Sequence, residues 1–275
     1  MVDFYTRQER NRAKYHRAIV KVCEEIFKKV NKDEEPLQII KLISELSQTY
    51  EFEQYVNSLV KGMVINIATE NAKDWRDAVL KSHKPNEFYK YLMQNTEGQI
   101  QGLLTNASLE NASLIKSIPP LWAQKATAIT TQATLEGRRA SDVRKDILEL
   151  YPHITEERAQ LIARTEISKT SSQLVKVRSQ AVGIDWYTWK TAHDQRVRES
   201  HRLMNDVICN FNNPPSPEKL AGEKYLYGVY NAGEIFNCRC YPEPIIDYND
   251  IKFPARVCYN GQIVRMKKAD FLAIA

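Results

Sequence analysis

Glycine is scarce in this chain, with nine in 275 residues. None of the nine falls in a Gly-rich loop that could cradle a phosphate, so the sequence offers no nucleotide fingerprint. Long apolar runs are missing as well: none approaches the roughly 20 residues that a membrane-spanning helix needs. The opening "MVDFYTRQERNRAKYHRA" is too charged for the apolar region of a signal peptide, so we expect an intracellular protein with reduced thiols. The five cysteines, Cys23, Cys209, Cys238, Cys240 and Cys258, are an odd number, which argues against a full disulfide framework. There is no internal repeat, no low-complexity tract and no helix-turn-helix or RNA-binding signature. A second carboxylate cluster and a nucleophile with an evident base are also lacking, so hydrolytic turnover is not expected.

What is present favours helix. Ala, Gln, Glu, Lys and Leu are abundant, the apolar share is 43% and the charged share 27%, as in ordinary globular proteins. The net charge of +5 permits a polyanionic partner without requiring one. From Tyr15, the apolar residues Ile19, Val22, Ile26 and Val30 recur at helical spacing. Pro36 suits the first turn of a second helix, a third fits Glu51 to about Leu80, and a fourth Gly98 to Ile118. Pro119 and Pro120 are expected to end that helix, with a restart near Trp122. Gly137 suits a helix C′ position and Ser141 an N-cap. Pro152 and Thr155 are expected to open a long helix that stops at Gly183.

The period then changes. "IDWYTWKTA" and "FNCRCYPEPII" read as strands, "RVRESHRLMND" as a short helix, and "ARVCYNGQIVRM" as a hairpin about Asn260-Gly261. Between Cys209 and Ala232 lies a Pro- and Gly-bearing loop long enough to expect function or motion from it. The expected fold is mostly α with a smaller α+β C-terminal domain: a helical N-terminal region over 1–140, then, over 141–275, a long helix packed on a small sheet.

Four features of the C-terminal part stand in order. They are Ala163-Arg164-Thr165-Glu166 on the long helix; Gly183 leading to Trp186 and Trp189; Asp194, Arg196, Arg198 and His201; and Cys238-Arg239-Cys240. In this ordered set, over about Leu114 to Ile246, the sequence resembles the head-morphogenesis (minor head) proteins of tailed phages, of the Mu F type. The family's Asp-Gly after the histidine is here Asn205-Asp206, so that turn has no glycine to make it. The resemblance implies a non-enzymatic minor capsid protein of a phage or prophage. It implies association with the portal protein, action in head assembly or DNA packaging and delivery, and residence in the prohead or virion interior and, during assembly, the host cytoplasm. It gives the motif residues Arg164, Glu166, Trp186, Asp194, Arg198, His201, Cys238 and Cys240 a structural role.

The same residues bear chemical readings of their own. Cys238 and Cys240 on one strand would face the same side. They can be small buried hydrophobes, or the thiolates of a zinc site completed by His201 and either Cys209 or Asp194, or, at a cost in distortion, a disulfide. Asp194 can pin a loop by accepting from an arginine or a histidine. Alternatively Asp194, His201 and the cysteines form a metal-dependent phosphodiesterase or nuclease site. Arg164 is a candidate partner for Asp194 or for a carbonyl near Cys238. Trp186 and Trp189 should lie on opposite faces of their strand. Lys169, Lys176 and Arg178 on the long helix read either as a phosphate-binding face for non-specific contact with double-stranded DNA, or as a solvated face. "EFYKYLMQN" (Glu87 to Asn95) has the aromatic and Met content of an interface core.

Overall fold

The structure, a computed structural model, describes residues 4–80 and 97–275; the aromatic run Glu87 to Asn95 lies outside the described residues. Helices α1 (Phe4–Lys28), α2 (Pro36–Leu46), α3 (Tyr50–Leu80), α4 (Glu97–Lys116), α5 (Ile118–Leu135) and α6 (Ala140–Ala181) come first. Strand β1 (Trp186–Lys190), helix α7 (Glu199–Met204), strand β2 (Ile208–Asn210), helix α8 (Pro217–Leu220), strands β3 (Tyr241–Pro244), β4 (Ala255–Tyr259) and β5 (Gln262–Met266) and helix α9 (Lys268–Leu272) follow. No helix among the described residues is long and apolar enough to cross a membrane. The expected class, mostly helical with a small α+β C-terminal part, is the observed one.

The chain packs as two compact units. One comprises Glu9–Ile65 and Asn106–Ala163, the other Met1–Gln8, Asn66–Thr105 and Arg164–Ala275. The first is all helix. Its core holds Ile19, Ile39, Ile43, Ile115, Ile118, Trp122 and Ile147, all fully buried. Two of its buried side chains donate to backbone: the Trp122 indole N–H to the Ile147 carbonyl (3.1 Å) and the Tyr151 hydroxyl to the Cys23 carbonyl (2.9 Å). Burial pushes the Cys23 thiol up to about 12. Two local expectations differ from what forms. A helix ends just before Pro119 and Pro120, at Lys116, as expected, but the next one restarts already at Ile118 with both prolines in its first turn, where their missing N–H groups are unneeded, rather than near Trp122. Pro152 lies inside α6, which runs through it unbroken instead of starting there.

The second unit carries a five-stranded sheet in the order β3-β1-β2-β4-β5, in which only β2 and β4 run parallel. Alternation along β1 sends Tyr187 and Trp189 to one face and Trp186 to the other. Both tryptophans are buried. Trp186 meets the Phe271 ring edge-on at 5.2 Å, and Trp189 joins Val175 of α6, Cys209, Phe211, Cys238 and Cys240. The hairpin turns at Asn260-Gly261 as expected, with Tyr259 paired to Gln262 and both turn residues at positive φ (50° and 73°). Both helix stops hold too. After Gly137 and after Gly183 the next amide reaches back five residues, Arg138 to Ala133 (2.9 Å) and Ile184 to Ser179 (2.9 Å). The strand expected over "FNCRCYPEPII" shrinks to Tyr241–Pro244, and Cys238-Arg239-Cys240 precedes it in irregular backbone.

Asp206 replaces the missing glycine of the turn after His201. It adopts the left-handed conformation itself (φ 60°), with its amide on the Trp189 carbonyl (2.8 Å) and its carboxylate on Lys190 (2.8 Å). One glycine is sterically obligatory. Gly233 has φ +90°, and a Cβ there would sit 2.8 Å from the Cys240 carbonyl oxygen, between it and Ser168 and Ser172 of α6. Gly261, at φ +73°, faces open space. Gly261→Ala should therefore cost only the backbone strain, about 1–2 kcal/mol. Gly233→Ala should cost about 1–3 kcal/mol more, because the clash adds to the strain. Urea midpoints of the two variants measure the difference; equal losses would mean that Gly233 is not pressed against Cys240.

Candidate functional site

Arg164, Asp194, Arg198 and His201 converge on one short segment, Ala232 to Cys240. Four anchors come from α6, whose small polar residues allow close approach. Arg164 donates to Asn237 Oδ1 (2.8 Å) and the Thr165 hydroxyl accepts from the Asn237 amide (2.9 Å). One turn on, the Ser168 hydroxyl donates to the Cys238 carbonyl (2.9 Å), and another turn on, that of Ser172 donates to the Ala232 carbonyl (2.7 Å). Asn237 itself takes a left-handed φ of 59°, a conformation that asparagine tolerates better than most residues. From the other side, Arg198 donates to the Phe236 carbonyl (3.0 Å) and lays its guanidinium over the Phe236 ring at 4.6 Å.

Within this frame His201, Cys238 and Cys240 meet. All three are buried, and their Nδ1 and Sγ atoms lie within 4.8 Å of one another. His201 Nδ1 is 3.5 Å from each sulfur, and the Cys240 amide donates to the Cys238 sulfur (3.4 Å). On the far side of the imidazole, Nε2 is 3.0 Å from the Tyr230 hydroxyl, which donates to the carboxylate of Glu218. Glu218 has no exposed surface. Burial, followed by the Glu218 carboxylate, drives the Tyr230 phenol far above its ordinary range, so it stays protonated. The network then fixes the histidine. A carboxylate only accepts, so Tyr230 spends its one proton on Glu218; its oxygen accepts from Nε2–H, and Nδ1 is left as a bare lone pair facing the thiols. For Cys238, burial opposes ionisation, but hydrogen bonds from the Cys240 side chain and amide act against it, and this thiol is held well below its ordinary range. Its hydrogen bond to Cys238, together with burial, pushes Cys240 well above.

The arginine between the cysteines has a separate partner. Arg239, itself buried, grips Asp194 with two nitrogens, one at 2.6 Å from Oδ1. The Arg196 amide adds a third bond to the same carboxylate (3.0 Å). This clamp, chiefly the Arg239 hydrogen bond, lowers Asp194 from 3.8 to about 2.

Residues 124–242 match the family of phage Mu protein F like proteins. That match supports the resemblance that the ordered motifs carry, and it spans every residue of the site described above. A second similarity is to an uncharacterized protein of Haemophilus influenzae, 35% identical over 140 residues, which covers 51% of this chain and 29% of that protein. The chain thus spans less than a third of the length of this relative. No solved structure matches.

Other sequence-derived candidates of the Mu F-like segment are placed elsewhere. Cys209 is buried in the same core, but its thiol lies 3.7 Å from the Val207 carbonyl and it does not join the cluster. Asp194 is held by Arg239 and is likewise outside it, so the phosphodiesterase reading loses its carboxylate. Glu166 is buried on α6 and Trp186 serves the opposite face of the sheet. The basic face needs correction. Arg178 is buried, donates to Asn71 and to the Ala68 carbonyl (3.3 Å), and is lowered to about 10 by that burial. Lys169 and Lys176 are half-buried, so these three side chains form no open phosphate-binding stripe. Sequence reading missed Glu218, Tyr230, Ser168 and Ser172. Only the Ser168/Ser172 spacing of one helical turn gave a signal; Glu218 and Tyr230 lie in a loop whose pattern has no period.

Asp194→Asn keeps the shape of the clamp and removes its charge. The Asp194 side chain is 31% exposed, so solvent screens the pair and the expected loss is about 1–2 kcal/mol at neutral pH. The folded-state value lies below the ordinary one, so the stabilisation is complete above about pH 4 and fades as pH falls toward 2. Chemical denaturation of both proteins from pH 7 to pH 2.5 should show the gap closing at the acid end; a gap independent of pH would assign the clamp another origin.

Proposed function

We propose that this chain is a minor head protein of a tailed phage or prophage, acting in head morphogenesis through association with the portal protein. The observation that carries the reading is the Mu F-like match over residues 124–242, which spans all four motifs. The site's chemistry is consistent with it: Arg164, Asp194, Arg198 and His201 each contact the segment Phe236 to Cys240, as befits parts that hold a domain closed. We assign residues 141–275 to this Mu F-type function and the helices of 1–140 to assembly contacts. Placement in the prohead interior, with a part in DNA packaging or delivery, belongs to the same proposal. A net charge of +5 suits a neighbour as anionic as DNA, with contact that ignores sequence.

A partner surface is available among the described residues. Tyr225, Leu226, Tyr227 and Val229 are all exposed on the long loop, beside Phe236. Aromatic residues are enriched in interface cores. Co-expression with the portal protein of the same phage or prophage should yield a complex that survives gel filtration. Because Tyr225 and Leu226 are exposed, replacing both with Ser should weaken portal retention about tenfold or more while leaving the melting temperature unchanged. If the unaltered chain neither binds the portal nor is found in purified proheads, the reading is wrong.

A further inference from the structure

We propose that His201, Cys238 and Cys240 form a zinc site, oriented from behind by the Tyr230–Glu218 pair. For a tetrahedral ion with metal–sulfur bonds of about 2.3 Å and a metal–nitrogen bond of about 2.05 Å, the cosine rule gives a sulfur-to-nitrogen edge of about 3.5–3.6 Å. Both sulfurs lie 3.5 Å from Nδ1. A single nitrogen lone pair can accept one S–H well, but not two at once; an ion shared by all three atoms accounts for both equal edges. The donor set, two thiols and an imidazole with no oxygen, is the soft set that selects zinc over magnesium or calcium.

The partners behind the imidazole weigh more. Histidines that bind metal usually donate their other ring N–H to an acceptor, which fixes the tautomer and the ring plane. Here Nε2 meets Tyr230 (3.0 Å), and Tyr230 hands its own proton to a carboxylate with no exposed surface. Nothing in plain core packing calls for a fully buried glutamate behind a histidine whose free lone pair points at two cysteines. The Cys240 amide on the Cys238 sulfur (3.4 Å) is a further stabiliser of a thiolate. Three donors converge among the described residues, so the fourth position of a tetrahedral ion is filled from outside that set. With all three donors buried, the ion's role is to tie α7 to the segment that α6 also holds.

The test uses the full chain, purified without added metal. About one zinc per chain is expected. After exchange for cobalt, the protein should show the intense visible absorption of a tetrahedral ion and thiolate-to-cobalt charge transfer sized for two sulfurs. Cys209→Ser, in the same core but outside the cluster, should keep full stoichiometry. Cys238→Ser and Cys240→Ser should lose the metal but can fail by unfolding, so the discriminating variant is Tyr230→Phe. Combined with Glu218→Gln, so that no buried charge loses its donor, it removes the hydroxyl behind the ring, leaves the three ligands in place, and should release zinc to a chelator about 10–100-fold more readily with an unchanged circular dichroism spectrum. Folded wild-type protein with less than about 0.2 zinc per chain and no cobalt spectrum would overturn the site, given how tightly structural zinc binds. A cobalt spectrum without thiolate charge transfer would overturn the ligand set. Unaltered zinc release by a folded protein carrying both Tyr230→Phe and Glu218→Gln would overturn the role of the pair behind the histidine.

Discussion

Glu218 is a carboxylate with no contact with water, and much of the second unit is arranged around its one strong hydrogen bond. Burying a charge is expensive unless a donor meets it, and the donor here is the Tyr230 hydroxyl. That choice propagates. Tyr230 cannot donate twice, so it must accept from His201; His201 must then carry its proton on Nε2; and Nδ1 must face Cys238 and Cys240 as an acceptor or a ligand. Four separate pieces of chain, α8, the loop at Tyr230, α7 and the Cys-Arg-Cys segment, are thereby held in one orientation by a line of atoms. The line works only if all members are present, which is the usual condition for a polar network in a core.

Around that line the segment Ala232 to Cys240 is fastened by its backbone. Serine hydroxyls of α6 take up its carbonyls at Cys238 and Ala232, Thr165 takes the Asn237 amide, and Gly233 lets the segment press onto the helix. Irregular buried backbone must have its polar groups satisfied one by one, and here a helix does so with short side chains one turn apart. The Asp194–Arg239 clamp then faces the rim, where a charge pair is screened and contributes less. The motif pattern of the Mu F-like segment is thus intelligible as a closure: Arg164, Thr165, Asp194, Arg198 and His201 touch the same nine residues, each for a different physical reason.

Much of this was legible in the sequence because it depends on local signals. Helical periodicity set out α1 to α4, Asn260-Gly261 fixed the hairpin, and the tryptophan spacing placed Trp186 and Trp189 on opposite faces. Pro119 and Pro120 mark the expected break but lie inside the first turn of the next helix, and a 42-residue helix tolerates Pro152 within it. Long-range facts had no local trace. That Arg178 turns inward to Asn71 depends on a residue more than a hundred positions away, so the charge pattern of α6 read as a surface. Glu218 looked like one more charge in a loop, because burial, not residue type, gives it its role. Asp206 shows the reverse case: the absent glycine suggested a lost turn, yet a residue that bears a left-handed φ and a salt link to Lys190 keeps it.

The proposed head-assembly role needs a C-terminal segment that keeps its shape among partners, and the proposed zinc ion would lock what the hydrogen bonds already align. The hydrogen-bonded line and the proposed zinc site both depend on the protonation pattern of one ring. The most direct measurement is the nitrogen-15 spectrum of His201 in the folded full-length chain near neutral pH. The account predicts a proton on Nε2 and none on Nδ1, with Nδ1 showing either a free lone pair or a metal bond. A proton on Nδ1, in either the neutral or the doubly protonated ring, would contradict it.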